Sequence, residues 1–321
     1  MLRLTPWFMV VSLLYFGCAV KTAPTGTEKN TQSTETNFDE LWDYDNPEET
    51  ESKFRALLPE AIKSGDAAYR AELLSQIART QGLQGRFDKA HKTLDEAEGL
   101  ISGAHAKARV RITLERGRVY NSSGDKTKAG PLFDSAYKLA KENRLDFYAV
   151  DAAHMLGIVE PFDKALKWNH EALAIAEQSK DERARNWKGS LYNNIGWAYF
   201  DKKEYEKALD MFDKALQFRT QQGKNKEIRI ARWCVARVQR QLGRLPEALA
   251  TQQSLEDEMH KLGEKGGYVY EELAECYLAM NEAEKATKYF ALAYAELSKD
   301  RWLTKNRPER IERLKKLGSV K

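Results

Sequence analysis

Small and large residues recur at fixed intervals along most of the chain. A small residue is followed twelve positions later by alanine at six places: Ala78/Ala90, Gly117/Ala129, Ala153/Ala165, Gly196/Ala208, Ala236/Ala248 and Ala274/Ala286. Apolar residues around these pairs repeat at i, i+3, i+4 and i+7, which predicts helices. Turn residues separate the two members of most pairs, namely Gly85, Gly124, Pro161, Gly243 and Asn281. The pattern therefore predicts helical hairpins in tandem.

The segment SLYNNIGWAYFDKKEYEKALDMFDKAL, residues 190–216, shows the hairpin most clearly. Gly196 and Ala208 allow two antiparallel helices to approach closely, and large residues such as Tyr199 and Phe212 form the apolar stripe. These segments resemble tetratricopeptide repeats. The period exceeds the family's 34 residues, so longer helices or loops such as 221–225 must absorb the excess. The resemblance implies an all-α fold, a right-handed α-solenoid of about six tetratricopeptide-like hairpins over residues 70–300.

Capping helices are predicted at both ends of the array. Asn46 followed by Pro47 is a good helix start, and it opens an N-terminal capping helix within residues 46–69, which we expect Pro59 to end or kink. Pro308 opens a C-terminal capping helix within residues 301–321. Its basic residues, Arg310 and Arg313 among them, are interpreted as a solvated face, since a solenoid needs half-polar ends.

The first 45 residues read as an export segment. Arg3 precedes an apolar run that is too short to span a bilayer comfortably but fits a signal peptide over residues 1–18. Gly17-Cys18 resembles a bacterial lipoprotein processing box, which implies lipidation of Cys18; an ordinary cleaved signal and an uncleaved anchor are the alternatives. Residues 19–45 are predicted to be a disordered polar tether. The protein is therefore expected to be exported to the cell envelope, as a membrane-anchored lipoprotein facing the periplasm or the exterior.

Composition and motifs exclude several classes of function. A net charge of +4 is too balanced for nucleic-acid binding, which calls for a concentrated basic face. The three cysteines show no metal-binding spacing, and Cys234 and Cys276 are expected to be buried thiols within helices. No catalytic motif and no cofactor motif occurs, so no catalytic residue, cofactor or metal site is predicted.

The resemblance places a partner-binding groove on the concave face, which the first helix of each hairpin lines in this family. Its positions carry over to Arg79, Arg118, Asn121, His154, Asn193, Asn194, Trp197, Trp233, Arg237 and Arg240, with Gln76 and Arg111 in the wider lining. Amide side chains can satisfy a peptide backbone, arginine forks grip carboxylates, and Trp and Arg are common hot-spot residues. The alternative to partner contact is a structural role for these residues. The tryptophans would fill space between first helices, and the arginines would pair internally with Glu115, Asp151 or the acidic cluster 271–275.

The sequence thus favours a non-catalytic scaffold that binds a protein or peptide in its concave groove. Two alternatives belong to other classes of protein. Asp151 and His154, three residues apart on one helix face, could serve a metal-binding or hydrolytic protein. The chain could also be a structural subunit of an envelope assembly, held by its convex face.

Overall fold

The computed structural model describes residues 37–319, which divide into two compact units at Leu191/Tyr192. We call residues 37–191 unit 1 and residues 192–319 unit 2. All regular structure over this range is helical, so the predicted all-α class is confirmed. Across residues 37–319, no helix has the length and apolar character that crossing a bilayer requires. The predicted signal peptide, Cys18 and the first part of the tether lie outside the described residues.

Unit 1 begins with a short 3-10 helix, Phe38–Leu41, and continues through eight α-helices. These are α1 (Pro47–Ser64), α2 (Ala67–Leu83), α3 (Phe87–Gly99), α4 (Ala106–Ser122), α5 (Lys126–Glu142), α6 (Asp146–Val159), α7 (Phe162–Gln178) and α8 (Glu182–Arg185). Helices α2/α3, α4/α5 and α6/α7 form the first three predicted hairpins. The first helices of neighbouring hairpins also touch, as α2 does with α4, and α1 packs on α2 as the expected cap.

Helix α9 (Lys188–Asp201) begins at the end of unit 1 and continues into unit 2. It is followed by α10 (Tyr205–Gln221), α11 (Asn225–Gln241), α12 (Leu245–Lys261), α13 (Gly267–Ala279), α14 (Ala283–Leu297), α15 (Arg301–Asn306) and α16 (Pro308–Gly318). Helices α11/α12 and α13/α14 pair as hairpins, and α16 packs against α14 as the C-terminal cap. Phe212 of α10 lies against Gly196 of α9, which pairs those two helices as well. All six predicted hairpins are therefore confirmed.

Small residues bring the two helices of a hairpin together, as the pattern predicts. A Cβ atom added to Gly196 would lie 2.7 Å from the ring of Phe212, and one added to Gly117 would lie 2.5 Å from the ring of Phe133. Both rings are fully buried, and so are Ala129 and Ala208. The glycines are thus required by a close approach of side chain to backbone, because no other residue leaves room for the ring.

Three sequence expectations differ from the structure. Pro59 does not end α1: it is exposed inside the helix, so water can satisfy the carbonyl that loses its hydrogen bond. The segment 222–224 is a tight turn with Gly223 at φ 65°, and the excess of the repeat period lies there in 17-residue helices. In two other repeats, α8 and the loop 100–105 add further residues. The end of the predicted tether, residues 38–45, is ordered, because Phe38 and Trp42 are buried in the core of unit 1.

Candidate functional site

The first-helix face of unit 1 carries several of the predicted binding residues. We define it by the polar side chains of α2, α4 and α6 that meet one another there: Gln76, Arg79, Arg111, Glu115, Arg118, Asp151 and His154. The Arg118 side chain is 11% exposed, and the other six residues are at most 9% exposed. Charged groups buried to this extent require partners, which the face itself supplies.

Two carboxylates pair two of the three arginines of this face, Arg79 and Arg118, whereas Nη1 of the third, Arg111, lies 3.5 Å from Oε2 of Glu72. Glu115 accepts from Nη1 of Arg79 at 3.1 Å and from Nη1 of Arg118 at 2.7 Å, and Asp151 accepts from Nη2 of Arg118. Burial opposes the charge of Arg118, but Asp151 and Glu115 outweigh it and raise the pKa of the guanidinium. The internal pairing left open by the sequence is thus present, and it links α2, α4 and α6.

His154 and Asp151 are both buried on α6. Burial lowers the pKa of His154 to about 4, an effect that Asp151 opposes and Arg118 reinforces, so the imidazole is neutral at neutral pH. Its ring lies 5.0 Å from that of Trp187 between centroids. Over residues 37–319, no group of three or more His, Cys, Asp and Glu side chains is placed to hold a metal ion. Asn121 is half-buried at the end of α4.

Residues 38–45, FDELWDYD, lie against the first-helix face of unit 1. Asp39 accepts from both terminal nitrogens of Arg111, with 2.9 Å between Nη1 and Oδ2, and Trp42 donates from Nε1 to Oε1 of Gln76 at 3.0 Å. The ring of Tyr44 lies 5.7 Å from the guanidinium of Arg79. This contact was not predicted, because residues 38–45 were expected in the disordered tether, although three aromatic residues in eight are a signal against disorder.

A basic cavity adjoins the contact between Asp39 and Arg111. The hydroxyl of Tyr148 on α6 accepts from Nη1 of Arg111 at 3.1 Å, and the same tyrosine lines a cavity of about 250 Å³. The other lining residues are Lys107, Arg144, Leu145, Asp146, Phe147, Lys180, Asp181 and Arg183. Four of them are cationic and two are acidic, so the positive charge that Arg111 presents to Asp39 continues into this cavity.

The first-helix face of unit 2 is formed by α9, α11 and α13. Glu272 of α13 accepts from Nη1 of Arg237 and, at 2.9 Å, from Nε of Arg240. Glu272 is 1% exposed; burial raises its pKa, but Arg237 and Arg240 lower it by more, so the carboxylate is held ionised. The two predicted arginines of this unit are therefore also engaged by an internal carboxylate.

The tryptophans of unit 2 differ in exposure. Trp197 is buried and its ring centroid lies 5.1 Å from that of Phe212, so it fills space as the alternative reading held. Trp233 is half-buried, and its Nε1 donates to the backbone oxygen of Tyr268 at 3.1 Å. The guanidinium of Arg237 lies 5.3 Å from the Trp233 ring and 5.9 Å from the Trp197 ring. This stack fixes the Trp233 ring at the edge of the face.

The adjacent asparagines of α9 have different surroundings. Asn193 is buried, and its Oδ1 accepts from the thiol of Cys234 on α11 at 3.6 Å. It lies between first helices rather than on the open side, where the sequence analysis placed it. Asn194 is half-buried. Cys234 and Cys276 are free, buried thiols, as predicted.

Arg313, Lys315 and Lys316 of the C-terminal cap are exposed, as expected of a solvated face, whereas Arg310 is largely buried, and two of the basic residues form ion pairs. Arg310 of α16 donates from Nε to Oε1 of Glu271 at 2.9 Å, and Arg313 pairs with Glu275. Both acids belong to α13, so the cap is docked on unit 2 by charge pairs as well as by Ile311 and Leu314. Pairing across 38 or 39 residues was not visible from the cap's own sequence.

Comparison with known proteins gives the class of this fold. Residues 148–221 match the family model for the tetratricopeptide repeat. No curated protein matches the chain in sequence. The apo form of RapI is similar in structure, with a TM-score of 0.67 and 14% identity, over 85% of this chain and 81% of that one.

Two further solved structures are similar over most of both chains. The C-terminal part of a TPR repeat-containing protein from Cytophaga hutchinsonii has a TM-score of 0.51 and 19% identity, over 80% of this chain and 94% of that one. The apo form of the quorum sensor NprR from B. thuringiensis has a TM-score of 0.50 and 15% identity, over 86% and 83%. Residues 148–221 thus match the tetratricopeptide repeat, and the solved structures share with the chain the fold of tetratricopeptide-repeat proteins. Proteins of this class are in general non-catalytic and bind protein or peptide partners.

Proposed function

We propose that this protein is a non-catalytic scaffold that binds a protein or peptide on its first-helix faces. The observation that carries the proposal is the edge of unit 2, where Asn194 of α9 and Trp233 of α11 are each half-buried on neighbouring first helices. An amide and an indole match the backbone and apolar groups of a peptide. The similarity to a quorum sensor, NprR, agrees with a binding role.

The buried members of the predicted set have a supporting role in this proposal. The guanidinium of Arg237 packs against the ring of Trp233 and donates a hydrogen bond to Glu272. Asn193 and Trp197 pack between helices. The partner therefore contacts the half-buried residues, and the buried ones keep them in place.

Site-specific photocrosslinking tests this proposal in the cell that makes the protein. A photoreactive residue replaces Asn194 on first helix α9 or, as the matched control, Lys214 on second helix α10. We expect a crosslinked partner from position 194 and none from position 214. Crosslinks from position 214 alone would favour the structural subunit that is bound through its opposite face.

Affinity measurements on the captured partner complete the test. Removal of a hot-spot side chain costs about 1–2 kcal/mol, so Asn194→Ala should weaken binding roughly tenfold. Lys214→Ala, which removes an exposed side chain on the other helix, should leave the affinity unchanged. If both variants bind the partner as tightly as the wild type, the first-helix face is not the binding surface.

We also propose that the protein is exported and anchored to a membrane through Cys18. The support is the sequence alone: Arg3, the apolar run that follows it, and the pair Gly17-Cys18. Labelling of cells with a fatty-acid analogue should mark the wild type and the Cys234→Ser variant, but not Cys18→Ser. Equal labelling of all three proteins, or of none, would refute lipidation at Cys18.

A further inference from the structure

We infer that residues 38–45 act as an intramolecular ligand of the first-helix face of unit 1, and that the partner which displaces them is an acidic, aromatic peptide. The inference deepens the proposed function by naming the class of partner for unit 1. It rests on contacts of unit 1 only, whereas the evidence for the proposed function comes from unit 2.

The segment contacts the positions that the family resemblance assigns to a partner. Gln76 accepts from the Trp42 indole, Arg79 lies against the Tyr44 ring, and Arg111 donates to Asp39. These anchors belong to two first helices, α2 and α4, and Arg111 lies 72 residues from Asp39 along the chain. A segment that only covered the end of the array would contact α1 and α2 and would not need to reach α4.

The chemistry of the contact is that of a bound acidic peptide. A fork of two N–H groups on Arg111 holds the carboxylate of Asp39, and the same guanidinium lies 5.0 Å from the ring of Phe38. Burial raises the pKa of Asp39, but Arg111, Lys107 and Arg183 together lower it by more, so the acid is bound as the anion. Phe38 and Trp42 bury their rings beside Phe54 of α1.

The segment has little secondary structure of its own. Its 3-10 helix is four residues long, and a reciprocal contact joins it to α1: the Asp43 amide donates to Oγ1 of Thr50, which donates to the Asp43 carbonyl. The remaining anchors are side chains. Release of the segment therefore breaks these contacts and exposes the rings of Phe38 and Trp42, while the hairpins keep their own helix pairing. Opening of this kind can occur below the global unfolding free energy.

A competing partner must supply the same groups. It needs a carboxylate for Arg111 and aromatic rings for the places of Phe38 and Trp42. The cationic side chains of the adjoining cavity, Arg144 and Lys180 among them, favour additional acidic residues. Because the intramolecular ligand reduces the fraction of open face, it also weakens the apparent affinity for any such partner.

The test uses the full chain and a fluorescent peptide, NFDELWDYD, that reproduces residues 37–45. The double variant Asp39→Asn/Trp42→Ala removes two anchors and raises the open fraction, so it should bind the peptide at least about tenfold more tightly than the wild type. A peptide that carries the same two changes is the matched control and should bind neither protein. Circular dichroism tests whether the double variant is folded. If the double variant is unfolded, the single variant Asp39→Asn is used in its place.

Hydrogen exchange of the wild type gives an independent measurement. We expect the Asp43 amide to exchange through a local opening, well before the amides of α2 and α4. Exchange of all three only on global unfolding would show that the segment is a fixed part of the fold and would overturn the inference. So would equal peptide affinity of wild type and folded variant. The peptide affinities and the exchange rates do not depend on crosslinking at position 194. Failure of the proposed function and failure of this inference can therefore be told apart.

Discussion

Arg237 of α11 and Glu272 of α13 form a buried ion pair between neighbouring first helices of unit 2. The same carboxylate accepts from Nε of Arg240 at 2.9 Å, so one anion compensates two guanidinium groups. The Glu272 side chain is 1% exposed and that of Arg237 is 11% exposed. At such burial the loss of one partner leaves the other without compensation, which costs more than the pair contributes.

We predict that Glu272→Gln lowers the free energy of unfolding by about 3 kcal/mol, because two buried guanidinium groups lose their counter-charge. Urea denaturation followed by circular dichroism measures the change. Glu275→Gln is the matched control on the same helix: its partner Arg313 is 46% exposed, and the expected loss is below about 1 kcal/mol. Equal losses for the two variants would contradict the role given to burial.

We predict that Gly196→Ala destabilises the protein by about 1–3 kcal/mol, because its Cβ would lie 2.7 Å from the buried ring of Phe212. Thermal denaturation should show a lower melting temperature. Gly99→Ala, at the exposed end of α3, meets no atom within 4 Å and should be neutral or slightly stabilising. A Gly196→Ala protein as stable as the wild type would refute the close approach of α9 and α10.

The hairpins could be predicted from the sequence because their determinants are local. The interval from Gly196 to Ala208 fixes two helices, a turn and the stripe that joins them within one repeat. The interval occurs at six places, so agreement among copies compensates for a weak one such as the hairpin of α6 and α7, where polar Asn169 occupies a position that is usually large and apolar. The hairpins were predicted from their periodicity, and a single sequence is enough to show that periodicity.

The pairing of the candidate site could not be predicted in the same way. Arg79 meets Glu115 36 residues later, and Arg237 meets Glu272 35 residues later. Such pairs depend on the register between neighbouring hairpins, which varies with each loop. The position of residues 38–45 was not predicted for another reason. The residues before them are polar, and the predicted tether was extended over residues 38–45 in spite of their three aromatic side chains.

We predict that neither Cys234 nor Cys276 reacts rapidly with a thiol reagent in the native protein. Both are 1% exposed, and burial raises the pKa of the two thiols, that of Cys276 to about 12, so little reactive thiolate is present. In a Cys18→Ser background, absorbance should report two thiols in urea and essentially none without it. Lys214→Cys, on an exposed position of α10, is the control that should react at once. Rapid native labelling in the background protein would contradict the burial.

His154 makes the stability of unit 1 sensitive to acid. Burial, reinforced by Arg118 and opposed by Asp151, lowers the pKa of the imidazole to about 4 in the folded protein. The pKa of an unfolded histidine is about 6.5. Below that value the unfolded chain takes up a proton that the folded chain does not bind, so stability falls as the pH falls.

We therefore predict that the contribution of His154 is fully present above about pH 6.5 and is lost as the pH falls to about 4, a change of about 3 kcal/mol. His154→Gln cannot take up this proton. Urea denaturation at several pH values measures the unfolding free energies of the wild type and of His154→Gln. As the pH falls from 7 to 4, the wild type should lose about 3 kcal/mol relative to the variant. A difference that stays constant over this interval would show that His154 is not held neutral by burial.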